Sequence, residues 1–317
     1  MVKLFRVKSF VYTPFSDERD LQYLSDNGIV ITNNISEADL LISQNFKHLK
    51  KYFWYYFNKK KYLIWTHEPR FDISFSSVRK IFLGLHKCHF MNIYTNDVFT
   101  SIGTFHTKVI KNEIEPLVQS FKLTSKKIVA LMSYYQGCDA PALIYQGKNI
   151  DLIALRSKIA LEGKRRGLLD IIGKGWPENS SLENSRDGNW PKRKEEILDS
   201  YNFNFCFENT IAPNYVTEKI WDSIGCYCLP IYYGKGTNIY DLFPERSFID
   251  YADFDSPEHL FVYIEKMEKD EFVERLNKCI SVYTILKNKG PLYSWEKRKE
   301  ALDKIVEKCN SIVKKSE

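Results

Sequence analysis

The stretch that decides the fold runs from Asn202 to Gly234 and reads NFNFCFENTIAPNYVTEKIWDSIGCYCLPIYYG. It opens with an apolar run, NFNFCFE (202–208), of the kind found in a strand covered on both faces. Glu208 and Asn209 end that run, and a short loop follows. Asn214, next to Pro213, has the chemistry of a helix N-cap. YVTEKIWDSIG (215–225) then carries helical spacing and closes on Gly225. CLPIYY (228–233) reads as the next strand, and Pro230 within it points to an edge or strand-end position. Strand, loop, helix and strand in this order form one repeat of a parallel sheet.

The same alternation extends in both directions. Strand-like runs stand at 5–12, 28–32, 38–43, 61–66, 90–95, 127–133, 168–173 and 246–251. Helix-like runs stand at Glu18–Asp26, Asn45–Lys59, Ile150–Lys164, Lys192–Tyr201, Pro257–Met267, Lys269–Lys287 and Ser294–Ser311. The polar segment KNEIEPLVQSFKLTSKK (111–127) separates two series of βα units. The expected architecture is α/β, with two Rossmann-like lobes facing across a cleft and a long C-terminal helix. The expected domains are 1–124 and 125–317, the second including the terminal helices.

Bulk composition fits this picture. The chain has 317 residues, 44% of them hydrophobic and 15% aromatic, enough for two packed cores. A net charge of +6 suits anionic ligands without choosing among them. Seven scattered cysteines in an odd number predict reduced, mostly buried thiols and a cytoplasmic location. No apolar run approaches a membrane span or a signal segment, so membrane contact is expected to be peripheral at most, through the Lys-rich C-terminal helix.

The mouth of the helix after residue 214 is where chemistry is expected. Free N–H groups and the positive end of the helix dipole form an anion seat. Lys219 adds a point charge suited to phosphate oxygens, and Glu218 is an acceptor for sugar hydroxyls. Tyr215 offers a ring to a base or sugar.

Taken together, Phe207, Glu208, Asn209, Thr210, Tyr215, Val216, Thr217, Glu218, Lys219, Pro230 and Gly234 resemble the donor-binding signature of the GDP-fucose-dependent α-1,3/4-fucosyltransferases, glycosyltransferase family 10. Ser223 stands where that family commonly has alanine. The stretches EILDSYNFNFCFEN (195–208), YTNDV (94–98) and LLDIIGKG (168–175) are similar to further parts of the family. The resemblance implies a GT-B-like fold and an inverting transfer of fucose from GDP-fucose to a glycan hydroxyl. It implies donor contacts from Asn209, Tyr215, Glu218 and Lys219, and makes Arg156, in IALRSKIALE (153–162), a second clamp on the diphosphate.

An inverting transfer needs a base for the acceptor hydroxyl. The resemblance assigns this to Glu68, in YLIWTHEPRFD (62–72), with His67 as the alternative. No cofactor is required in this scheme, and a divalent metal would at most stimulate. Asp253-Phe254-Asp255 has the form of a metal-binding DxD but reads as a turn before the helix at 257, and no histidine spacing points to a metal. The expected partners are GDP-fucose or a related nucleotide sugar and a glycan acceptor, without nucleic acid. Two alternatives stay open: the same fold with another nucleotide-sugar donor, and a nucleic-acid-binding module. The second rests on FKHLKKYFWYYFNKKKY (46–62), where Lys and aromatic residues interleave. Phe46, Leu49, Phe53 and Phe57 also fit one apolar helix face, which favours core packing. Acceptor choice is expected to lie in the loops 9–20, 66–80 and 98–110.

Overall fold

Short, mostly apolar strands build both sheets: Leu40–Ser43 in one, and Leu169–Ile172 and Leu229–Tyr232 in the other, are buried at every position. Such strands have no solvent face and must be covered on both sides, as in doubly wound α/β folds. A computed structural model of the chain describes residues 1–8, 10–11, 13–58, 60–81, 84, 86–95, 98, 110, 112–184 and 189–314, without the side chains of 54 and 56–58. Most of the expected loop 98–110, part of YTNDV and the side chain of Phe57 therefore lie outside the described residues. The chain divides into two compact units, Met1–Thr104 with Tyr293–Glu317, and Phe105–Leu292.

The first unit contains β1 (Val2–Arg6), α1 (Glu18–Asp26), β2 (Ile29–Thr32), β3 (Leu40–Ser43), α2 (Phe46–Leu49), β4 (Lys61–Trp65), β5 (Val78–Ile81) and β6 (His86–Met91). Its sheet order is β2-β1-β3-β4-β6-β5, parallel except for β5, which runs antiparallel to β6. The expected strand at 5–12 stops at Arg6 because Lys8 takes a positive φ of 65°. The run expected at 90–95 is the end of β6, since the Asn92 side chain accepts from the backbone N–H groups of Tyr94 (2.9 Å) and Thr95 (3.0 Å) and turns the chain. The expected helix 45–59 keeps only one α-helical turn and continues as a 3-10 helix over Lys50–Asn58. Six consecutive aromatics (52–57) restrict χ1 against the preceding turn and favour α-helix poorly. Leu49 and Phe53 are nonetheless buried, Phe53 lies 5.0 Å from the Tyr62 ring, and Phe46 packs on the same core. Phe46, Leu49 and Phe53 thus pack into the core.

The second unit contains β7 (Ile128–Leu131), a hairpin β8 (Ile144–Tyr145) and β9 (Lys148–Asn149), α3 (Ile153–Arg165), β10 (Leu169–Ile172), α4 (Trp190–Leu198), β11 (Phe203–Phe205), α5 (Glu218–Gly225), β12 (Leu229–Tyr232), β13 (Ile249–Asp250) and α6 (Pro257–Lys266). The sheet is fully parallel with order β10-β7-β11-β12-β13. Strand order reverses between β7 and β11, and ligands of such sheets bind outside the carboxyl ends of the strands at that switch point. Pro230 lies on an interior strand but near its start, the strand-end alternative to an edge: it is in register with Asn204 of β11, while pairing with β13 begins only at Ile231. The side that Pro230 leaves without a donor is thus the side β13 has not yet reached.

The last helix, α7 (Lys269–Lys314), is interrupted at Gly290, whose φ of 70° precedes Pro291. Its first half belongs to the second unit: Phe272 stacks on Phe121 at 5.6 Å, and the Asn277 amide bonds the backbone of Leu117 in both directions. Its last part is grouped with the first unit, whereas the sequence assigned all of 125–317 to one domain. The physical reason is a set of contacts with α1: Arg298 pairs with the buried Asp20, the Tyr23 hydroxyl donates to Asp303 (2.7 Å), and Arg19 lies 3.7 Å from the Trp295 ring centre.

Candidate functional site

At the carboxyl end of β11 the chain places Glu208, a carboxylate only 2% exposed. A buried carboxylate needs donors for both oxygens, and it has four. Its Oε1 accepts from the Thr217 N–H (2.8 Å), the Thr217 hydroxyl (2.7 Å) and the Tyr232 hydroxyl (3.3 Å), and its Oε2 accepts from Lys219 Nζ (2.9 Å). This arrangement sets where α5 begins. Thr217, extended at φ −97° and ψ −162°, is the N-cap, and the helix starts at Glu218 rather than after Asn214. The Asn214 Oδ1 instead accepts from the Asn238 amide (2.9 Å).

A second strand of backbone bonds brings α3 to the same place. The Leu152 N–H donates to the Asn209 carbonyl (3.1 Å), and the Ile211 N–H to the Ile150 carbonyl (2.8 Å). The Thr210 hydroxyl also donates to Ile150 O (2.9 Å). Asp151 accepts from the Ile153 N–H (3.1 Å) and so closes the free end of α3. The segment 150–152 is thereby laced to the loop after β11, and Arg156, in the second turn of α3, comes into the electrostatic reach of Glu208, Tyr215 and Lys219. Burial pulls the Arg156 guanidinium down from its ordinary value, and Glu208, Tyr215 and Asp151 oppose that.

Lys219 is 29% exposed and spends its donors on three acceptors: Glu208, the Thr217 hydroxyl (2.7 Å) and Glu218 Oε1 (3.5 Å). Burial works against its charge, but Glu208 and Glu218 outweigh it, so the ammonium is held above its ordinary value. Burial likewise disfavours the Glu218 carboxylate, yet Lys219 and Lys194 bring it down to about 2. Lys194 of α4 pairs with Asp222, one turn beyond Glu218. Lys219 and Lys194 thus offset the two carboxylates of α5.

Three buried polar atoms near the switch point have no hydrogen-bond partner among the described residues: Arg156 Nε, Asn209 Oδ1 and Ser133 Oγ. A buried polar group left unpaired costs free energy, so such atoms mark places where a ligand can supply the partner. Arg156 and Asn209 are among the sequence candidates. Ser133, just past β7, is not, and a lone serine after a strand carries no sequence signal. Glu208 was visible in the motif, but its hub role was not. Tyr215 is 5% exposed and presents almost no ring surface.

Glu68 belongs to the first unit. It lies in the loop after β4 with its side chain 47% exposed, and its Oε1 is 3.6 Å from His67 Nε2, so the two candidate bases form one pair. Thr66 Oγ1 accepts from the Glu68 N–H (3.0 Å). Further along the loop, buried Asn92 donates to Asp72 (2.6 Å) and to the Ser74 carbonyl (2.9 Å), and Tyr94 OH donates to Pro69 O (3.0 Å). A surface carboxylate on an anchored loop can approach a hydroxyl without moving its backbone.

Ser223 has its own local explanation. Its hydroxyl donates to Lys219 O (2.8 Å) and accepts from the amide of buried Asn204 on β11 (2.7 Å). Ser223→Ala is expected to strand that amide and to destabilise the second unit by about 1–3 kcal/mol, and adding Asn204→Val is expected to recover most of the loss. Denaturant titration of both variants measures this.

Asp253 ends a 3-10 turn, and the exposed Asp255 lies 3.8 Å from His259. Among the described residues no group of three or more His, Cys, Asp or Glu is arranged to hold a metal ion. All seven cysteines are free thiols. Among the described residues no helix is long and apolar enough to cross a membrane.

The open parallel sheet, with its strand order reversing between β7 and β11, defines the second unit as an α/β unit of the doubly wound kind. Residues 156–315 match the model of glycosyltransferase family 10 (fucosyltransferase), C-terminal part, and the chain belongs to this family. It is 36% identical over 77 residues to the human 4-galactosyl-N-acetylglucosaminide 3-alpha-L-fucosyltransferase, which is 24% of this chain and 21% of that protein. The same figures hold for the human 3-galactosyl-N-acetylglucosaminide 4-alpha-L-fucosyltransferase. The match thus spans about a fifth of the length of these relatives. Among solved structures, an alpha1,3-fucosyltransferase with GDP-fucose is similar at 18% identity and a TM-score of 0.45, over 91% of each chain. The T4 phage BGT with UDP-glucose is similar at 10% identity and a TM-score of 0.49, over 95% of this chain and 99% of that one.

Proposed function

We propose that this chain moves fucose from GDP-fucose to a hydroxyl of a glycan acceptor, with inversion at the sugar carbon and without an essential metal. Membership of a fucosyltransferase family supports the reaction class. The observations that carry the donor site are the tie of Lys219 to buried Glu208 after β11 and the buried, unpartnered Nε of Arg156 on α3, which is bonded to the same loop. In this reading the diphosphate lies against Arg156, Lys219 and the first turn of α5. Asn209 and Glu218 take hydroxyls of the ribose or the sugar, and Tyr215 backs Arg156. As the C1–O bond stretches, negative charge grows on the leaving diphosphate, and cations fixed in place stabilise it better than water does. Glu68, in the first unit, removes the acceptor proton as its oxygen attacks from the opposite face.

Calorimetric titration with GDP, UDP and CDP is expected to show preference for GDP. Incubation with GDP-fucose and a panel of glycans is expected to release GDP and add one deoxyhexose to an acceptor. Binding of UDP in place of GDP sinks the choice of donor, and indifference to all three nucleotides sinks the reading as a whole.

A further inference from the structure

We propose that Glu208 is a positioning residue for the transfer: through Lys219 and Thr217 it fixes the ammonium and the first turn of α5 where the leaving diphosphate forms. The inference rests on the donor site described above and adds a residue to it. Four donors surround the Glu208 carboxylate, and three of the four come from Thr217 and Lys219. The Thr217 hydroxyl closes a ring, since it donates to Glu208 and accepts from Lys219 at 2.7 Å each. A lysine has four rotatable bonds, and an ammonium free to wander does not follow charge as it develops. Tying it to a carboxylate that is itself locked by Tyr232 removes that freedom before the donor arrives.

The same geometry says which contact gives way. Lys219 has three N–H donors and three acceptors. Two of these acceptors are at 2.9 and 2.7 Å on buried residues, while Glu218 is at 3.5 Å and 34% exposed. A phosphate oxygen therefore replaces Glu218 and not Glu208. The exchange sets Glu218 free to accept from a donor hydroxyl. One cation then reports diphosphate binding to the carboxylate that reads the rest of the donor.

A carboxylate beside the site repels a diphosphate, so its removal does not weaken nucleotide binding in the way loss of a contact residue does. This gives the role a signature. In Glu208→Gln, kcat is expected to fall by about 10–100-fold, while affinity for GDP is kept or increased. In a Lys219→Met background, adding Glu208→Gln is expected to lower turnover several-fold less than it does in the wild type, because the ammonium is gone and only the hold on Thr217 is left to lose. Equal losses in the two backgrounds mean a purely structural residue and overturn the proposal, as does wild-type turnover in Glu208→Gln. If Glu208→Gln does not fold, Thr217→Val removes only the hydroxyl between the two charges: kcat is expected to drop, and Thr217→Ser to restore it. Unchanged kcat in Thr217→Val overturns the proposal as well. A wild-type protein that neither binds GDP nor consumes GDP-fucose overturns the functional reading itself, a result distinct from an active wild type with an indifferent Glu208→Gln.

Discussion

Lys219→Met is expected to lower turnover of GDP-fucose by about 10²–10³-fold, the usual cost of removing one preorganised donor to a developing anion. The same change is expected to destabilise the second unit by about 3 kcal/mol, because it leaves a buried carboxylate without its counter-ion. The two effects have separate origins. The kinetic loss follows from the leaving diphosphate, and the stability loss from Glu208, whose Oε2 has Lys219 as its donor at 2.9 Å. Arg156 lies within electrostatic reach of the same carboxylate and holds the stability cost to the low end of the range for broken buried pairs. Lys219→Arg keeps the charge but not the shape, so it is expected to recover more stability than turnover. Initial rates and chemical denaturation on the same three proteins check both parts. Wild-type kcat in Lys219→Met removes Lys219 from the mechanism.

Arg298→Ala is expected to cost about 3–5 kcal/mol in the first unit. Asp20, 3% exposed at its side chain, faces Arg298 with both oxygens, and loss of the guanidinium leaves it charged and buried. Lys299→Ala is the control. Lys299 pairs with Glu296 at 2.8 Å, but Glu296 is 53% exposed, and such surface pairs contribute about 0–1 kcal/mol. Because two units need not unfold together, hydrogen exchange in β1 and α1 reads the effect better than one melting temperature. Protection there that matches wild type in Arg298→Ala means the terminal helix does not hold the first unit.

The α/β class was legible because strand and helix signals in this chain are local. Short apolar runs such as 38–43 and 168–173, and Glu18–Asp26, whose limits coincide with α1, need no tertiary information. Errors gathered where side chains act on backbone at a distance. Asn214 is a good N-cap by residue type, but a carboxylate nine residues before Thr217 in sequence captures the Thr217 N–H, and the helix starts later. Pro230 suggests an edge or a strand end, and only the pairing decides between them: the short β13 joins past it. The terminal helix reads as an appendage of the preceding residues, since nothing in 294–311 announces a partner as far back in the chain as Asp20.

The sequence by itself determined the repeating βα pattern, the motif from Phe207 to Lys219 and hence the family, because these depend on neighbouring residues and on residue chemistry. Tertiary structure alone decided that Arg156, 52 positions before Glu208, shares its surroundings, that Glu208 is the hub of the site, and that the chain's last helix returns to its first unit. The physical reason is that backbone bonds between 150–152 and the loop after β11, and one buried ion pair, join residues whose separation along the chain carries no signal.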